Sequence, residues 1–360
     1  MDIDTLIDYF GSDKLSALFG LSIGLLFGVF AQRSNFCLRS ATIEFWRGQV
    51  GSNFVVWLLA FATAVFGAQF VIFSEWIDID SIRPLNSAGS MSGAIIGGLL
   101  FGSGMILARG CASRLLVLSA TGNLRALTTG VFIALVAVMT LNGVLSPIND
   151  QISSLWAVDE YNRGLSSWLP ELGGVILGAG LLSFGIWKAW SQRINWRLAA
   201  LAMLTGFTIA LAWFLNSWHA ENAFDNVTVK SISLTSAYIK TLSGLTEASG
   251  INLSFDIGIV PGIFIGAFAA AFLSREFKWQ HFNEQTNIGR YLIGAAMMGF
   301  GGVVALGCSV GAGLSNGGIL LVSALTSLIS MWVSAGATDW LVDRPKHAEL
   351  SSLKPQSSYS

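Results

Sequence analysis

Nine long stretches of this sequence contain no aspartate, glutamate, lysine, arginine or histidine. Most hold roughly 18 residues or more, and an α-helix needs about 17 to 25 apolar residues to cross the hydrocarbon core of a bilayer. The pattern therefore predicts nine transmembrane helices, of which the fifth is slightly short and is extended by its flanks. The stretches lie near residues 15–32, 54–73, 88–107, 126–145, 172–187, 198–218, 257–273, 291–308 and 318–338.

The composition favours a membrane protein over a water-soluble one. Of the 360 residues, 53% are hydrophobic and only 11% are charged, whereas soluble domains carry about 25% charged residues. The first apolar stretch follows the acidic segment "MDIDTLIDYFGSDK", which lacks the basic start of a signal peptide, so we expect a true span. No basic patch with interleaved aromatic residues suggests nucleic-acid binding. The predicted fold class is an all-α polytopic protein of the lipid bilayer.

The basic residues indicate how the nine predicted spans are oriented. Of the 20 lysines and arginines, 15 lie in one set of alternating connections, which includes the C-terminal tail. Loops that remain in the cytoplasm carry an excess of Lys and Arg. We therefore predict a multi-pass protein with its N-terminus outside and its C-terminus in the cytoplasm.

A repeated motif indicates that the chain consists of two related halves. The segment "GSGMILARGC" (102–111) aligns with "GFGGVVALGC" (299–308), which places Cys111 on Cys308 at an offset of 197 residues. The same offset carries spans one to four onto spans six to nine and leaves span five as a connector. An odd connector inverts the second half, as in many transporters. The predicted parts are a first repeat at 1–150, a connector with span five at 151–196, a second, inverted repeat at 197–340 and a cytoplasmic tail at 341–360.

The apolar segments that follow spans three and eight are too short to cross the membrane. The predicted topology makes residues 108–123 leave and re-enter the cytoplasmic face, and the segment around Cys308 does so at the outer face. Non-helical backbone at membrane depth is tolerated only when it is buried in protein or lines a cavity. We therefore interpret both segments as re-entrant and expect them to meet in a shared interior. Residues 34–45 and 231–242 are a weaker candidate for a second pair.

All three cysteines, Cys37, Cys111 and Cys308, lie at predicted helix breaks. A lone cysteine in a membrane protein is usually an inert small hydrophobe, but the coincidence of all three with breaks favours a functional role. A structural disulfide is not expected, because the number is odd and Cys37 is predicted on the cytoplasmic side.

Metal binding and catalysis have less support in the sequence. Thiolates select copper(I) and zinc, but no CxxC motif or methionine ladder accompanies these thiols. Nucleophilic catalysis needs a base within reach, and no predicted span core contains a histidine or a carboxylate. We therefore predict a protein that is not an enzyme and has no metal centre or cofactor, with metal transport as a distant alternative. The histidines are expected in loops or in the tail: His219, His281 and His347.

Residues beside the cysteines supply candidate contacts for an anion. Glycines such as Gly110 permit backbone angles and close approaches that a side chain forbids, although glycines also serve tight helix packing in membranes. Broken helices direct free N–H groups and positive dipole ends toward the break. Arg109 either attracts an anion or is an ordinary cytoplasmic anchor, and Asn316 either donates its amide hydrogens or caps a helix. No catalytic residue is predicted, and the predicted substrate-binding set is Cys37, Cys111, Cys308, Gly110, Gly307, Arg109 and Asn316.

The glycine–cysteine blocks resemble those of the YeeE/YedE membrane proteins, a family associated with thiosulfate uptake. The resemblance rests on "QRSNFCLRSA", "GSGMILARGCASR" and "GFGGVVALGCSVGAGLSNGG", and it extends over essentially all nine spans. It implies an hourglass-shaped bacterial inner-membrane protein with nine transmembrane helices and four short re-entrant helices. It also implies that the cysteines line a constricted route for thiosulfate, and that a small cytoplasmic sulfur carrier of the TusA type cooperates. The segment "ASRLLVLSATGN" departs from the pattern, because it lacks the glycines that follow the cysteine in the second repeat.

A route lined by thiols suits a sulfur dianion. Buried thiols stay neutral and can donate their S–H groups, whereas thiolates would repel the cargo. Inward movement of two negative charges against 100 mV costs about 4.6 kcal/mol, and no span core offers a group to bind a coupling proton. We therefore predict facilitated uptake, with coupling to sodium bound by backbone groups as the open alternative. The predicted function is import of thiosulfate or a closely related sulfur anion. The alternatives are transport of selenium or other sulfur compounds, and a membrane-bound sulfurtransferase that passes sulfane sulfur to a cytoplasmic carrier.

Overall fold

Helices make up almost the whole structure, a computed structural model, and the only strands among the described residues form a two-residue antiparallel pair, β1 (Gly89–Ser90) and β2 (Ala157–Val158). The all-α class is therefore confirmed. His281, His347 and most of the predicted tail lie outside the described residues. The structure describes residues 11–77, 82, 89–158, 164–165, 170, 172–223, 228–246, 253–280 and 288–344.

Long helices occupy the positions of the nine apolar stretches. Eight segments of the described chain are long and apolar enough to cross a membrane, and the helix at the ninth stretch has 17 residues. The chain is therefore a multi-pass membrane protein. In chain order the helices are α1 (Ser12–Ser34), α2 (Leu38–Trp46), α3 (Ser52–Phe73), α4 (Met91–Leu107), α5 (Ala112–Ala120), α6 (Leu124–Asn142), α7 (Ser146–Ser154), α8 (Gly173–Ser191), α9 (Trp196–Asn222), α10 (Leu234–Thr246), α11 (Phe255–Leu273), α12 (Ile288–Val304), π1 (Ser309–Asn316), α13 (Val322–Thr338) and π2 (Asp339–Asp343).

Glycines let several long helices pack with their backbones in contact. Gly20, Gly24 and Gly28 recur every four residues along α1, and they face α11. A Cβ atom added at Gly20 would stand 2.1 Å from the carbonyl oxygen of Phe255. Small residues that allow such approach are the usual helix contacts in membranes, because lipid tails are as apolar as leucine side chains.

Helices α4 and α12 cross at four glycines whose contacts are reciprocal. A Cβ atom at Gly104 would stand 2.6 Å from the carbonyl oxygen of Gly294, and one at Gly294 would stand 2.7 Å from the carbonyl oxygen of Gly104. Gly97 and Gly301 are related in the same way, at 2.7 Å in both directions. The two helices are therefore antiparallel. The offset of 197 residues read from the sequence carries Gly97 onto Gly294 and Gly104 onto Gly301, so each glycine contacts the equivalent of the other. Because each helix leads into a cysteine segment, those two segments follow opposite ends of the crossing.

Candidate functional site

Each cysteine is the N-cap residue of a short helix. Cys37 precedes α2, Cys111 precedes α5 and Cys308 precedes π1. Only 6% of Cys37 is exposed, and Cys111 and Cys308 are fully buried. All three are free cysteines. The predicted coincidence of thiols with helix breaks is therefore present in the structure.

The same turn precedes Cys111 and Cys308. Two residues after the end of α4 stands a left-handed residue, Arg109, with φ 57°. Leu306 stands at the same place after α12, also with φ 57°. The N–H of the next residue then donates to a carbonyl five positions back, at 3.1 Å for Gly110 and 2.9 Å for Gly307. This is the Schellman arrangement, in which glycine usually takes the left-handed position. The chain is thereby reversed before each thiol.

The two predicted glycines serve close approach rather than unusual backbone angles. The left-handed angle falls on the residue before each glycine, so this part of our expectation was wrong. A Cβ atom at Gly307 would stand 2.6 Å from the backbone nitrogen of Ala312, whereas one at Gly110 would meet only the side chain of Leu115, at 3.1 Å. The helix that follows, π1, therefore leaves no room for a side chain at position 307, whereas a side chain at position 110 would only displace Leu115.

Two of the thiols form a pair. The Sγ atoms of Cys37 and Cys111 lie 4.0 Å apart in a buried position, which is hydrogen-bond range for sulfur and about twice the length of a disulfide bond. The Oγ atom of Ser113 lies 3.3 Å from Cys111 Sγ. The turns before α2 and α5 therefore place two sulfhydryl groups and a hydroxyl group together.

Cys308 has different neighbours. Its Sγ atom accepts a hydrogen bond from the backbone N–H of Gly311, at 3.5 Å. The position that matches Cys37 in the second half is Leu234, which is fully buried and offers no thiol. The second half therefore supplies a single sulfhydryl group.

Tyr238 on α10 connects the two halves. Its hydroxyl donates to the carbonyl oxygen of Ala112 at 3.1 Å, and only 7% of the residue is exposed. Sequence reasoning missed Tyr238; its one signal was its place in residues 231–242, the weaker re-entrant candidate.

The predicted polar residues lie at the margins of the thiol sites. Arg109 is exposed at its turn, and its neighbour Arg114 donates to Asn35 Oδ1 at 2.9 Å. Asn316 is the last residue of π1 and is partly buried; its carbonyl oxygen accepts from the N–H of Leu321 at 3.1 Å. The structure thus brings the three cysteines to buried breaks but leaves Arg109 at the surface.

Two buried carboxylates hold clusters of basic side chains. Asp256 is fully buried and pairs with Lys230 and with Lys240, the latter at 3.2 Å. Burial lowers the pKa of the Lys230 ammonium from its ordinary value, and the Asp256 carboxylate opposes that shift. Asp339 is also fully buried and pairs with Arg47 at 2.7 Å. The sequence placed both carboxylates at span edges but carried no sign of their burial.

The expectation that His219 lies in a loop was wrong. His219 is in the last turn of α9 and is fully buried, with its Nε2 atom 3.3 Å from the hydroxyl oxygen of Ser12. Helix α9 extends four residues beyond the apolar stretch that predicted it, because α1 packs beside it and covers its end. Within the described residues, no three His, Cys, Asp or Glu side chains lie together so that they could hold a metal ion.

A cavity of about 510 Å³ opens beside the thiol region. Its walls come from α5, α6, α10 and α11 and are almost entirely apolar, with Leu116, Val131 and Phe264 among them and Tyr238 at one side. Such walls suit a lipid chain better than an anion, because an ion that leaves water needs polar partners.

The sequence matches the family described as "Sulphur transport" over residues 33–337. It is 29% identical over 347 residues to the thiosulfate transporter TsuA of Spirochaeta thermophila, which covers 90% of this chain and 98% of that protein. It is 26% identical over 350 residues to the thiosulfate transporter TsuA of Escherichia coli, with 90% and 94% of the two chains covered.

Proposed function

The chain belongs to the sulphur transport family, and from this premise we propose that it imports thiosulfate, or a closely related sulfur anion, across the bacterial inner membrane. The relatives named as thiosulfate transporters match nearly the whole chain. The observation that carries the proposal is the position of all three thiols: each is buried at the first turn of a short helix inside a membrane bundle.

The proposed architecture is an hourglass with nine transmembrane helices and an inverted repeat, with repeats at 1–150 and 197–340, a connector at 151–196 and a tail from 341. The reciprocal glycine contacts between α4 and α12 support it, because a two-fold axis makes equivalent positions exchange contacts. Helices α2, α5 and α10 and the π-helix π1 are the proposed re-entrant segments. Each is shorter than about 17 residues, the least that crosses the hydrocarbon core.

The proposed orientation has the N-terminus outside and the C-terminus in the cytoplasm. In this orientation the Lys230–Asp256–Lys240 cluster lies on the outer side and the Arg47–Asp339 pair on the inner side. Two lysines around one aspartate leave a net positive charge where an anion would arrive, and such fields raise the local concentration of oppositely charged solutes.

In the proposed passage the thiols act as weak, neutral donors. Cys308 receives the anion from the outside, and the Cys37–Cys111 pair receives it next, while the short helices direct their positive ends at the same points. Conduction needs sites that an ion leaves as readily as it enters, and S–H groups are weak donors. Gly110 and Gly307 give the cargo access to the backbone, Asn316 offers its amide and Arg109 holds anions at the inner mouth.

Facilitated uptake fits the buried charges. Asp256 and Asp339, two of the carboxylates at span ends, are both engaged in ion pairs with basic side chains, so neither is free to carry a coupling cation. A cytoplasmic acceptor that consumes the cargo would then draw it inward. A small sulfur carrier of the TusA type is the proposed partner, on the strength of the family resemblance.

Uptake into proteoliposomes tests this proposal. Thiosulfate carrying ³⁵S at either the sulfane or the sulfonate position is supplied in separate preparations, with protein-free liposomes as the control. An importer accumulates both labels, whereas a sulfurtransferase delivers only the sulfane label and leaves sulfite outside. Cys111→Ser and Cys308→Ser should each reduce accumulation at least tenfold; normal uptake by both would refute the role of the thiols. Competition by selenite would instead favour a selenium carrier.

A further inference from the structure

Ser309, the residue after Cys308, carries a buried hydroxyl group that no described residue satisfies. Only 1% of the residue is exposed, and its Oγ atom has no hydrogen-bond partner in the part of the chain that the structure describes. A buried hydroxyl without a partner destabilises the fold, and such a group in a native protein calls for an explanation, which a bound ion can supply.

The hydroxyl lies where an anion would find several donors. Ser309 is the first residue of π1, and side chains of a helix tilt toward its N-terminus, where the first N–H groups have no acceptor within the helix. Cys308 Sγ already accepts from the N–H of Gly311, so its own S–H proton is directed elsewhere. One turn of backbone therefore presents a thiol, a hydroxyl and free amides.

A second hydroxyl borders the same turn. A Cβ atom added at Gly311 would stand 2.8 Å from Oγ of Ser233, so the absence of a side chain at Gly311 is what allows that hydroxyl to lie against π1. Ser233 is partly exposed and precedes α10 directly. Two serines from different segments thus flank the first turn of π1.

The first half has no such pair. At the offset of 197 residues, Ser309 corresponds to Ala112 and Ser233 corresponds to Phe36, and both of these are buried apolar residues. The hydroxyl of Ser113 is already in contact with Cys111 Sγ. The first half therefore concentrates thiols, and the second half concentrates hydroxyls around one thiol.

We infer that the first turn of π1, with Ser309 and Ser233, is a subsite for the oxygen atoms of the transported anion, while the thiols contact its terminal sulfur. The inference rests on the proposed function and deepens it. Thiosulfate carries three oxygens and one terminal sulfur, and hydroxyl and amide donors match oxygen better than S–H groups do. The subsite recognises a tetrahedral sulfur oxyanion by its oxygen face.

Uptake kinetics with Ser309→Ala test the subsite. The KM for thiosulfate should rise about tenfold, the usual effect of losing one hydrogen bond to an anion, and inhibition by sulfate, which has only oxygens to offer, should weaken by a similar factor. The melting temperature of the detergent-solubilised protein should stay unchanged or rise, because the variant loses an unpartnered buried hydroxyl. Ser233→Ala should show the same kinetic change to a smaller extent.

Ser327→Ala is the matched control. Ser327 on α13 is fully buried, its Oγ also lacks a partner among the described residues, and its backbone faces Gly98 of α4, so this variant should keep the wild-type KM and sulfate inhibition. If Ser309→Ala keeps the wild-type KM and sulfate inhibition while the wild type transports thiosulfate, the subsite is refuted and the proposed function stands. If the wild type itself takes up no thiosulfate, the proposed function fails first.

Discussion

The two segments that hold Cys111 and Cys308 share one turn and differ in the helix behind it. Both turns pass through a left-handed residue and an extended cysteine. After Cys111 the chain forms a nine-residue α-helix, α5, whereas after Cys308 it forms the eight-residue π-helix π1. Different side chains can therefore form the same turn, and the structural difference between the two segments lies in the short helix after each turn.

The two helices also differ in glycine content. The segment "SVGAGLSN" of π1 holds two glycines, and "ASRLLVLSA" of α5 holds none. A π-helix is rare and occurs frequently at functional sites. The segment "ASRLLVLSATGN", which departs from the repeat pattern, thus forms an ordinary α-helix, whereas its counterpart forms a π-helix.

Replacement of the glycine before each cysteine by alanine should give the largest difference in stability between the two segments. Gly307→Ala places a methyl group 2.6 Å from the backbone nitrogen of Ala312, so we expect a loss of about 2–3 kcal/mol in the free energy of unfolding, typical of overpacking. Gly110→Ala meets a movable leucine side chain and should lose less than about 1 kcal/mol. Denaturant unfolding in detergent measures both. Equal losses would mean that the two turns are equally tight.

Removal of the phenol that connects the halves should have an intermediate effect. Tyr238→Phe takes away the hydrogen bond to Ala112 and should lower the free energy of unfolding by about 1 kcal/mol. Because that bond links α10 to α5, we also expect slower thiosulfate uptake. Tyr291→Phe, on α12, is the control and should change neither quantity. Wild-type stability and uptake in Tyr238→Phe would show that the halves are held together without this contact.

Glycine at the left-handed position should have the smallest effect, and a favourable one. Leu306→Gly and Arg109→Gly relieve a conformation that costs a residue with a side chain about 1 kcal/mol, so both should raise the melting temperature slightly. Only Arg109→Gly removes a charge, and it should therefore slow uptake, with a difference that shrinks at high salt. Calorimetry and uptake at two salt concentrations measure these effects. Equal uptake by the two variants would show that the charge of Arg109 does not contribute to transport.

Local sequence patterns predicted much of the fold. Charge-free stretches located the long helices within a few residues, since a bilayer imposes a length and an apolar character on every span. The glycine–cysteine blocks located the helix breaks, and the offset of 197 residues between two of them remains the basis of the proposed repeat. Burial of His219 and of Asp256 escaped prediction, because both lie just beyond apolar stretches and are covered by neighbouring helices that no local pattern identifies.

The sequence predicted that the cysteines lie at helix breaks, but it did not predict which side chains of the candidate site contact each other. Cys37 and Cys111 are 74 positions apart in the chain, and nothing in either motif states that their sulfur atoms meet. Tyr238 belongs to no quoted motif, and Ser309 lies within a glycine–cysteine block that gives no sign of its unpartnered hydroxyl. Arg109 is exposed at its turn, and its predicted contact with the cargo stays a prediction.

The sequence by itself determined that this chain spans a membrane many times and that its helices break at three cysteines, because hydropathy and glycine–cysteine motifs act along the chain. Only the tertiary structure decided which thiols meet and which hydroxyl stays without a partner among the described residues. Those features depend on contacts between helices far apart in sequence, where a single glycine sets the distance between two backbones.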